Sequence, residues 1–535
     1  MTEKVLERRP AIVNGHPVSD SEMNGRMASA PVRPNRRFTS GITRRTSIRL
    51  FLTCVLVFGL HFATNTVREI YPALSLADHF SFDVSEYNGL HPDIFEMPGR
   101  GVFINNNPGA SVMGAVPYFL ARPIVDSIVG RVNAQRAAET NAQPQNYDSI
   151  YPMAREFYQR SRERGFDVKF GLGAAITQAF VMVPISALSV VIIYLILLHL
   201  TGRPRAAATL ALLYAFATPV FYRTAQLNQN LLLAHFALFA FVLLWRPGSA
   251  ADSSKRPFYF LAGLCAGWTV VLDYSGLVAL TVLSGYAMAR WLGSAPSERS
   301  FAQLGRFALG VAICGAFLMA YQWSSFGNPI LPAQNYMPPA NFSDAGYQGF
   351  SLPSADLLFD TAFSMRFGLF VSAPILLLAF YFPAWLRKGT RILERREIVF
   401  IVAFISLFFI FCAANQFGRM QFNTGVRHIV PVVPFVFLLT ANVILRMPVI
   451  IASILGALGT YWMWCLTMYR DVEQGMGIPE AIKNITLGGF QLPWLNTIER
   501  MGYVQEASAL PLLALSAVLI WIIWNVDGNS RRARA

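Results

Sequence analysis

Residues 171–198 read GLGAAITQAFVMVPISALSVVIIYLILL, twenty-eight positions without one Asp, Glu, Lys or Arg. A bilayer core ~30 Å thick is crossed by ~20 predominantly apolar residues in a helix rising ~1.5 Å per residue. Lipid offers no partner to backbone N–H and C=O groups, so such a run closes its hydrogen bonds within itself as a helix. The stretch reads as a transmembrane span, and the rest of the chain is organised around it.

Working outward, similar runs recur at 49–67, 206–224, 228–245, 257–274, 276–291, 307–323, 367–386, 397–413, 428–445, 448–466 and 509–526. Pro219 and Gly285 interrupt two short ones. The pattern predicts an all-α polytopic membrane protein of about twelve transmembrane helices. A chain that is 54% hydrophobic and only 14% charged excludes a string of soluble domains. Residues 1–47 are polar and basic and are expected to form a disordered cytoplasmic tail. The membrane domain is expected at 48–527, with a second basic cytoplasmic tail at 528–535. The first apolar run begins too far along the chain for an ordinary signal peptide and is expected to be retained as a helix.

Basic residues favour the cytoplasmic side of short loops. With the amino terminus inside, cytoplasmic segments hold 27 of the 44 Lys and Arg residues and external segments 17. The short links Arg203/Arg205, Arg246/Lys255/Arg256 and Arg387/Lys388/Arg391/Arg395/Arg396 then fall inside, with Arg531, Arg532 and Arg534. Both termini are predicted to be cytoplasmic, in an inner or plasma membrane. The net charge of +14 is accounted for by this bias and by attraction to anionic lipid headgroups, and implies no nucleic-acid partner. Cys54, Cys265, Cys314, Cys412 and Cys465 fall in or at the edge of spans, where neither a disulfide framework nor zinc spacing is expected.

Three segments, 68–170, 324–365 and 467–508, are too long for simple turns and are predicted to be extracytoplasmic. In the first, 69–117 is turn-rich, while 117–136 and 152–164 suit interfacial helices, the second with Glu156 and Arg160 at i,i+4. Glu69, Asp83 and Asp93 lie in this loop, and a carboxylate at the membrane surface can act as general base on a hydroxyl. Arg68 beside Glu69 can hold a phosphate or depress the carboxylate's pKa. The bland alternative is that Asp83-Val-Ser-Glu86 and Asp93-Ile-Phe-Glu96 have the spacing of helix caps. Asn105-Asn106-Asn107-Pro108-Gly109 is a polar turn whose amides could also bond a sugar. Arg427, His428 and Arg366, with Arg223, stand at the outer edges of spans, where they either bind phosphate or snorkel to lipid headgroups. Asp273 near the outer face is either a transport carboxylate or an interfacial cap. No metal-ligand spacing is present.

In their order the spaced segments resemble the GT-C membrane glycosyltransferases, the group that includes lipid-A aminoarabinose transferases and protein O-mannosyltransferases. The likeness covers most of the first ten predicted spans. It rests on Arg68-Glu69-Ile70-Tyr71-Pro72 followed by GRGVFINNNPGASVMGAVPYFL, and on Phe326-Gly327-Asn328-Pro329 with Tyr336. It continues in Arg366-Phe367-Gly368-Leu369-Phe370-Val371-Ser372-Ala373-Pro374 and Gly425-Val426-Arg427-His428-Ile429-Val430-Pro431-Val432-Val433-Pro434-Phe435. Two departures stand out. The acid after the first helix is usually Asp, often Asp-Glu, where this chain has Glu69, so Asp83 and Asp93 stay open as the base. The Lys that often precedes the turn's Pro is Asn107 here.

The resemblance implies transfer of a sugar from a polyprenyl-phosphate donor to a glycan, lipid or protein acceptor on the extracytoplasmic face. Glu69, Asp83 or Asp93 would be the base, and Arg68, Asn105, Asn107, Arg366, Arg427 and His428 the substrate and phosphate contacts. No cofactor is fixed by it, and a divalent metal stays open. Two rival classes fit parts of the pattern. A secondary transporter suits the even number of spans but not the long external loops and the scarcity of charge inside spans. A non-catalytic membrane component of envelope assembly needs no base at all.

Overall fold

The apolar runs fold as helices, and where they stop the sequence supplies a breaker. The structure, a computed structural model, describes residues 12–13, 16–17, 36–64, 67–138, 147, 152–247, 257–339, 342–419, 425–469, 477–505 and 507–526. The described residues are 72% helical and 2% strand. Residues 1–46 and 47–535 form two compact units. In the first, Ile12–Val13 pairs antiparallel with His16–Pro17. Most of the tail predicted at 1–47, and all of the tail at 528–535, lies outside the described residues. The helix Arg36–Gly59 nevertheless takes in the last residues of the predicted tail, because no proline interrupts the chain between Arg36 and the apolar run.

Among the described residues five helices are long and apolar enough to cross a membrane: Gly109–Ala138, Asp167–Thr201, Phe301–Phe326, Arg395–Ala414 and Val449–Met468. Gln229–Trp245, Tyr259–Leu272, Gly276–Leu292, Val430–Ile444 and Leu510–Asn525 are shorter and equally apolar. The chain is an all-α membrane protein.

Several predicted spans are remodelled. The run at 49–67 ends as helix at Gly59; beyond it His61 Nε2 donates to the Phe221 carbonyl at 2.9 Å and Ala63 N to the Ala225 carbonyl at 2.8 Å. Gln178 opens a π-helical turn, Gln178–Met182, within Asp167–Thr201, and its Nε2 donates to the Phe58 carbonyl at 2.6 Å. The end of the first helix is therefore fixed from two sides. The run at 206–224 splits into Pro204–Phe216 and Pro219–Arg223, the second capped by Thr218, since Pro219 has no N–H to continue the ladder. The run at 367–386 is not one helix. Pro374 and Pro383 divide it into Leu369–Ser372, a 3₁₀ segment Pro374–Phe380 and Pro383–Leu386.

Gln229–Trp245 is the central element, with Leu231, Leu238, Phe241 and Leu244 all fully buried. Beside it Tyr259–Leu272 and Phe301–Phe326 meet along glycines. A Cβ on Gly263 would fall on the Phe307 carbonyl, and one on Gly310 would come within 2.6 Å of the Phe260 carbonyl. Small residues let helix backbones approach closely where lipid gives no hydrophobic drive to association.

The first loop is more ordered than its turn signals suggest. It contains the helix Ile70–His79 and a hairpin of Ile94–Met97 with Gly101–Ile104, in register Ile94↔Ile104 and Phe95↔Phe103. Phe95 and Phe103 pack with Phe326, which also stacks on Tyr336 at 5.5 Å, forming a second apolar cluster under the hairpin. The segment predicted at 117–136 is the second part of one helix, Gly109–Ala138, with Pro117 and Pro123 inside. Pro152–Glu163 is a helix carrying the Glu156–Arg160 ion pair.

Candidate functional site

Because the first helix stops at Gly59, the chain turns and delivers Arg68 and Glu69 to the start of Ile70–His79. Glu69 occupies the N-cap position, yet its carboxylate bonds no backbone N–H there. The side chain is buried and lies 3.7 Å from Arg68 Nε, and among the described residues it accepts no hydrogen bond. Its main-chain carbonyl is held by the Ser111 hydroxyl at 2.8 Å. A buried carboxylate committed neither to a cap nor to a hydrogen bond keeps its lone pairs for an incoming proton.

Arg68 is the hub. Its Nη1 lies 3.5 Å from Asp93 Oδ2 and donates to the Asn105 carbonyl at 3.2 Å. Burial works against its charge, but Glu69, Asp93 and Asp273 together raise its pKa above the ordinary arginine value. Asp93 is not the helix cap its spacing suggested; it sits in the turn before the Ile94–Met97 strand. Its N–H donates to His91 Nδ1 at 3.0 Å. Burial, with Arg68 and Arg427 nearby, drives the His91 pKa down to about 4 against the pull of Asp93. The imidazole is thus neutral at physiological pH, with its proton on Nε2.

Opposite this group a second segment is clamped. Arg223, buried at the end of Pro219–Arg223, donates from Nη2 to the Gly425 carbonyl at 3.0 Å and from Nε to the Val426 carbonyl. Gly425 N–H donates to the Arg366 carbonyl at 2.7 Å. Gly425 has φ +109°, and a Cβ there would strike the Tyr222 ring, so only glycine lets the strand pass so close. The clamp presents Arg427 and His428, both half-buried, beside a small cleft lined also by Thr361, Phe367, Cys412 and Asn415. Among the described residues neither side chain forms a hydrogen bond or an ion pair. Burial, with Arg68 and Arg223 adding repulsion, pushes Arg427 down to about 10 despite Glu69 and Asp93. Arg427, a cation with no ion-pair partner among the described residues, can receive an anion there.

Asp273, at the end of Tyr259–Leu272, completes the cluster: it accepts from Gln229 Nε2 at 2.5 Å and from Ser275 N at 2.9 Å. Its negative charge reaches Arg68. Among the described residues no group of three His, Cys, Asp or Glu side chains is arranged to hold a metal.

An open groove of about 1110 Å³ runs between Pro204–Phe216, Val449–Met468 and Ile478–Gly488. Leu213, Met447, Ala452, Gly456, Trp464 and Phe490 are among its lining residues. It lies at the upper end of the ~300–1,000 Å³ range of small-molecule pockets and is mainly apolar. Trp464, near one end, lies 6.1 Å from the ring of Phe221, two residues before Arg223.

Of the residues singled out from sequence, Arg68, Glu69, Asp93, Arg427 and His428 belong to one electrostatic cluster, and Arg366 and Asn105 touch it through their carbonyls. Asp83 stands apart in a structural role: its Oδ1 accepts from Ser85 N at 2.9 Å and Val102 N at 3.2 Å, tying the Ser85–Tyr87 turn to the hairpin. Asn107 is also structural, donating to the Val270 carbonyl at 2.7 Å. The Phe326-Gly327-Asn328-Pro329 segment caps its own helix, where Gly327 has φ +78° and Asn328 Oδ1 accepts from Ile330 N at 2.9 Å. His91 escaped notice because an isolated histidine carries no spacing; its signal was the place two residues before Asp93. No protein-family model, curated protein or solved structure matches the chain.

Proposed function

We propose that the protein is a GT-C-like membrane glycosyltransferase, moving a sugar from a polyprenyl-phosphate donor to an envelope lipid, glycan or protein on the extracytoplasmic face. The observation that carries the proposal is Arg427, unpartnered among the described residues and followed by His428, within electrostatic reach of Arg68 and of the buried, uncapped carboxylate of Glu69, near one end of the apolar groove. A lipid phosphate has the same two halves, an anion for the cations and a long chain for the groove. In the proposed step Glu69 takes the proton of the acceptor hydroxyl as its oxygen attacks the anomeric carbon. The bond from that carbon to the phosphate oxygen breaks, and the phosphate leaves with the electron pair, steadied by Arg427 and Arg68. One displacement with inversion needs one base.

The reading includes about twelve membrane passes, with both termini cytoplasmic and 367–386 as a broken pass shielded by its neighbours. It treats Gly109–Ala138 as interfacial despite its length. What supports this is Arg122, near the middle of that helix, ion-paired to Asp78 at 3.3 Å and to Asp126 at 3.4 Å. Lys169 adds a third pairing, to Asp78 at 2.8 Å. A charged network at mid-depth in lipid is costly, and at the interface it is not. The test is to reconstitute the full chain in liposomes with radiolabelled polyprenyl-phosphate sugars and follow loss of the donor. Consumption that disappears in Glu69→Gln while donor binding persists is expected; no consumption across the donor series, with binding indifferent to Arg427→Ala, overturns the proposal.

A further inference from the structure

The stretch 225–230, AQLNQN, carries no charge and joins two apolar helices, so it offers nothing to a search for acids and cations. In the fold it lies against the carboxylate cluster. Ala225 is bonded to Ala63 in the chain leaving the first helix, and Leu227 fills the space over Gly114, where a Cβ would come within 2.9 Å of its methyl. Gln229 donates to Asp273. Asn107, donating to the Val270 carbonyl, brings Asn106 to the same helix end; Asn106 donates to the Ser111 hydroxyl at 3.4 Å, and that hydroxyl holds the Glu69 carbonyl.

These amides are sealed from water yet incompletely bonded. Asn106, Gln226, Gln229 and Asn230 are exposed by 3%, 5%, 2% and 1%. Among the described residues, Asn106 Oδ1, Gln226 Oε1, Gln229 Oε1 and both polar atoms of the Asn230 amide have no hydrogen-bond partner, and neither has Ser275 Oγ, two residues after Asp273. Proteins bond nearly all buried polar atoms, and a concentration of exceptions calls for a ligand's groups to complete them. Two of the amides are fixed in direction. Because Gln229 Nε2 donates to Asp273 and Asn106 Nδ2 to Ser111, the free polar atom of each amide is its oxygen, an acceptor, and each nitrogen keeps a second N–H. Asn230 offers both a donor and an acceptor.

We propose that Asn106, Gln226, Gln229 and Asn230 form a headgroup subsite that recognises a neutral, polyhydroxylated ring. Several acceptor oxygens and a donor, none of them ionised, match ring hydroxyls, which donate and accept in turn. They do not match a carboxylate-bearing sugar, whose acceptor-only oxygens would face acceptor oxygens. This rests on the donor-lipid reading above and adds the chemical class of the sugar to it.

The experiment measures binding of two probes to the full-length protein in nanodiscs: bare polyprenyl monophosphate and the polyprenyl-phosphate ester of a neutral hexose. The wild type is expected to prefer the hexose lipid, and Gln226→Met and Asn230→Leu, near-isosteric and apolar, to reduce that preference about tenfold with the bare lipid bound as before. Arg427→Ala is expected to weaken both probes alike. Thermal unfolding of each variant is recorded alongside. Equal wild-type affinity for the two probes overturns the subsite and leaves the lipid-phosphate reading standing. Variants that lose both probes equally, or that only change in stability, overturn it as well, showing the amides to be part of the core. Failure of the wild type to bind either probe overturns both readings.

Discussion

Arg223 donates from its guanidinium to the carbonyl of Gly425 at 3.0 Å, joining segments two hundred and two residues apart in the chain. The bond makes Arg223 a positioning residue: its Nε and Nη2 hold two main-chain carbonyls, and what they deliver is the placement of Arg427. Arg223→Leu is expected to leave two carbonyls unpaired, at a cost of ~1–3 kcal/mol each. Arg223→Lys is expected to recover only part of the loss, since an ammonium cannot span both. Thermal unfolding reads the stability, and binding of a polyprenyl-phosphate probe reads the displaced Arg427. Unchanged probe binding in a destabilised Arg223→Leu protein shows the clamp to be structural alone.

The three loop carboxylates are expected to separate by kind. Glu69→Gln keeps the shape and removes the proton acceptor, so turnover should fall ~10²–10⁴-fold with donor binding retained. Asp83→Asn should lower stability by ~1 kcal/mol through its bonds to Ser85 and Val102, with turnover per folded molecule near normal. Asp93→Asn should act through Arg68, weakening donor binding more than turnover. Assays at equal membrane abundance decide. Full activity in all three variants rules out a base in the first loop.

Arg427 gives a pH signature. Its pKa is pushed down to about 10, so it is charged at pH 7 and its contribution to anion binding is present below that value and lost above it. The phosphodiester of a donor keeps its single negative charge throughout. Donor affinity is therefore expected to fall between pH 9 and pH 11 in the wild type and to be flat, and lower, in Arg427→Ala. Identical profiles would return the residue to a lipid-snorkelling role.

Sidedness is checked by accessibility. Asp344→Cys and Leu487→Cys are expected to react with a membrane-impermeant thiol reagent from outside, and Lys388→Cys only after permeabilisation; all three positions are exposed. Labelling of 344 and 388 from the same side contradicts the topology drawn from the basic residues.

Hydropathy made the helical membrane class legible because lipid leaves a long apolar run only one way to bond its backbone. It missed the break at 367–386 because an average over side chains weighs Pro374 and Pro383 as apolar residues and ignores their missing N–H. It ran past Gly59 to Val67 because Leu60, Phe62, Ala63 and Val67 keep the average apolar after the helix has ended. Arg68 and Glu69 were legible from adjacent opposite charges just past an apolar run. Asp93 was drawn towards a helix cap by Asp-x-x-Glu spacing, which a turn and strand satisfy equally. The amides at 226–230 were out of reach, since uncharged polar residues mark a site only once burial has removed their water.

The glycine seam between Tyr259–Leu272 and Phe301–Phe326 has a reach beyond its own contacts. From Gly263 the helix runs ~15 Å to Asp273 at its end. Val270, which anchors Asn107, rides on the same rod. A single methyl group added at Gly263 would wedge the two backbones apart and swing that far end away from Arg68. The injury would register as a failure of recognition at the surface although every charged group was still in the chain. Thinness deep among the helices is what keeps the chemistry in register at the membrane's edge.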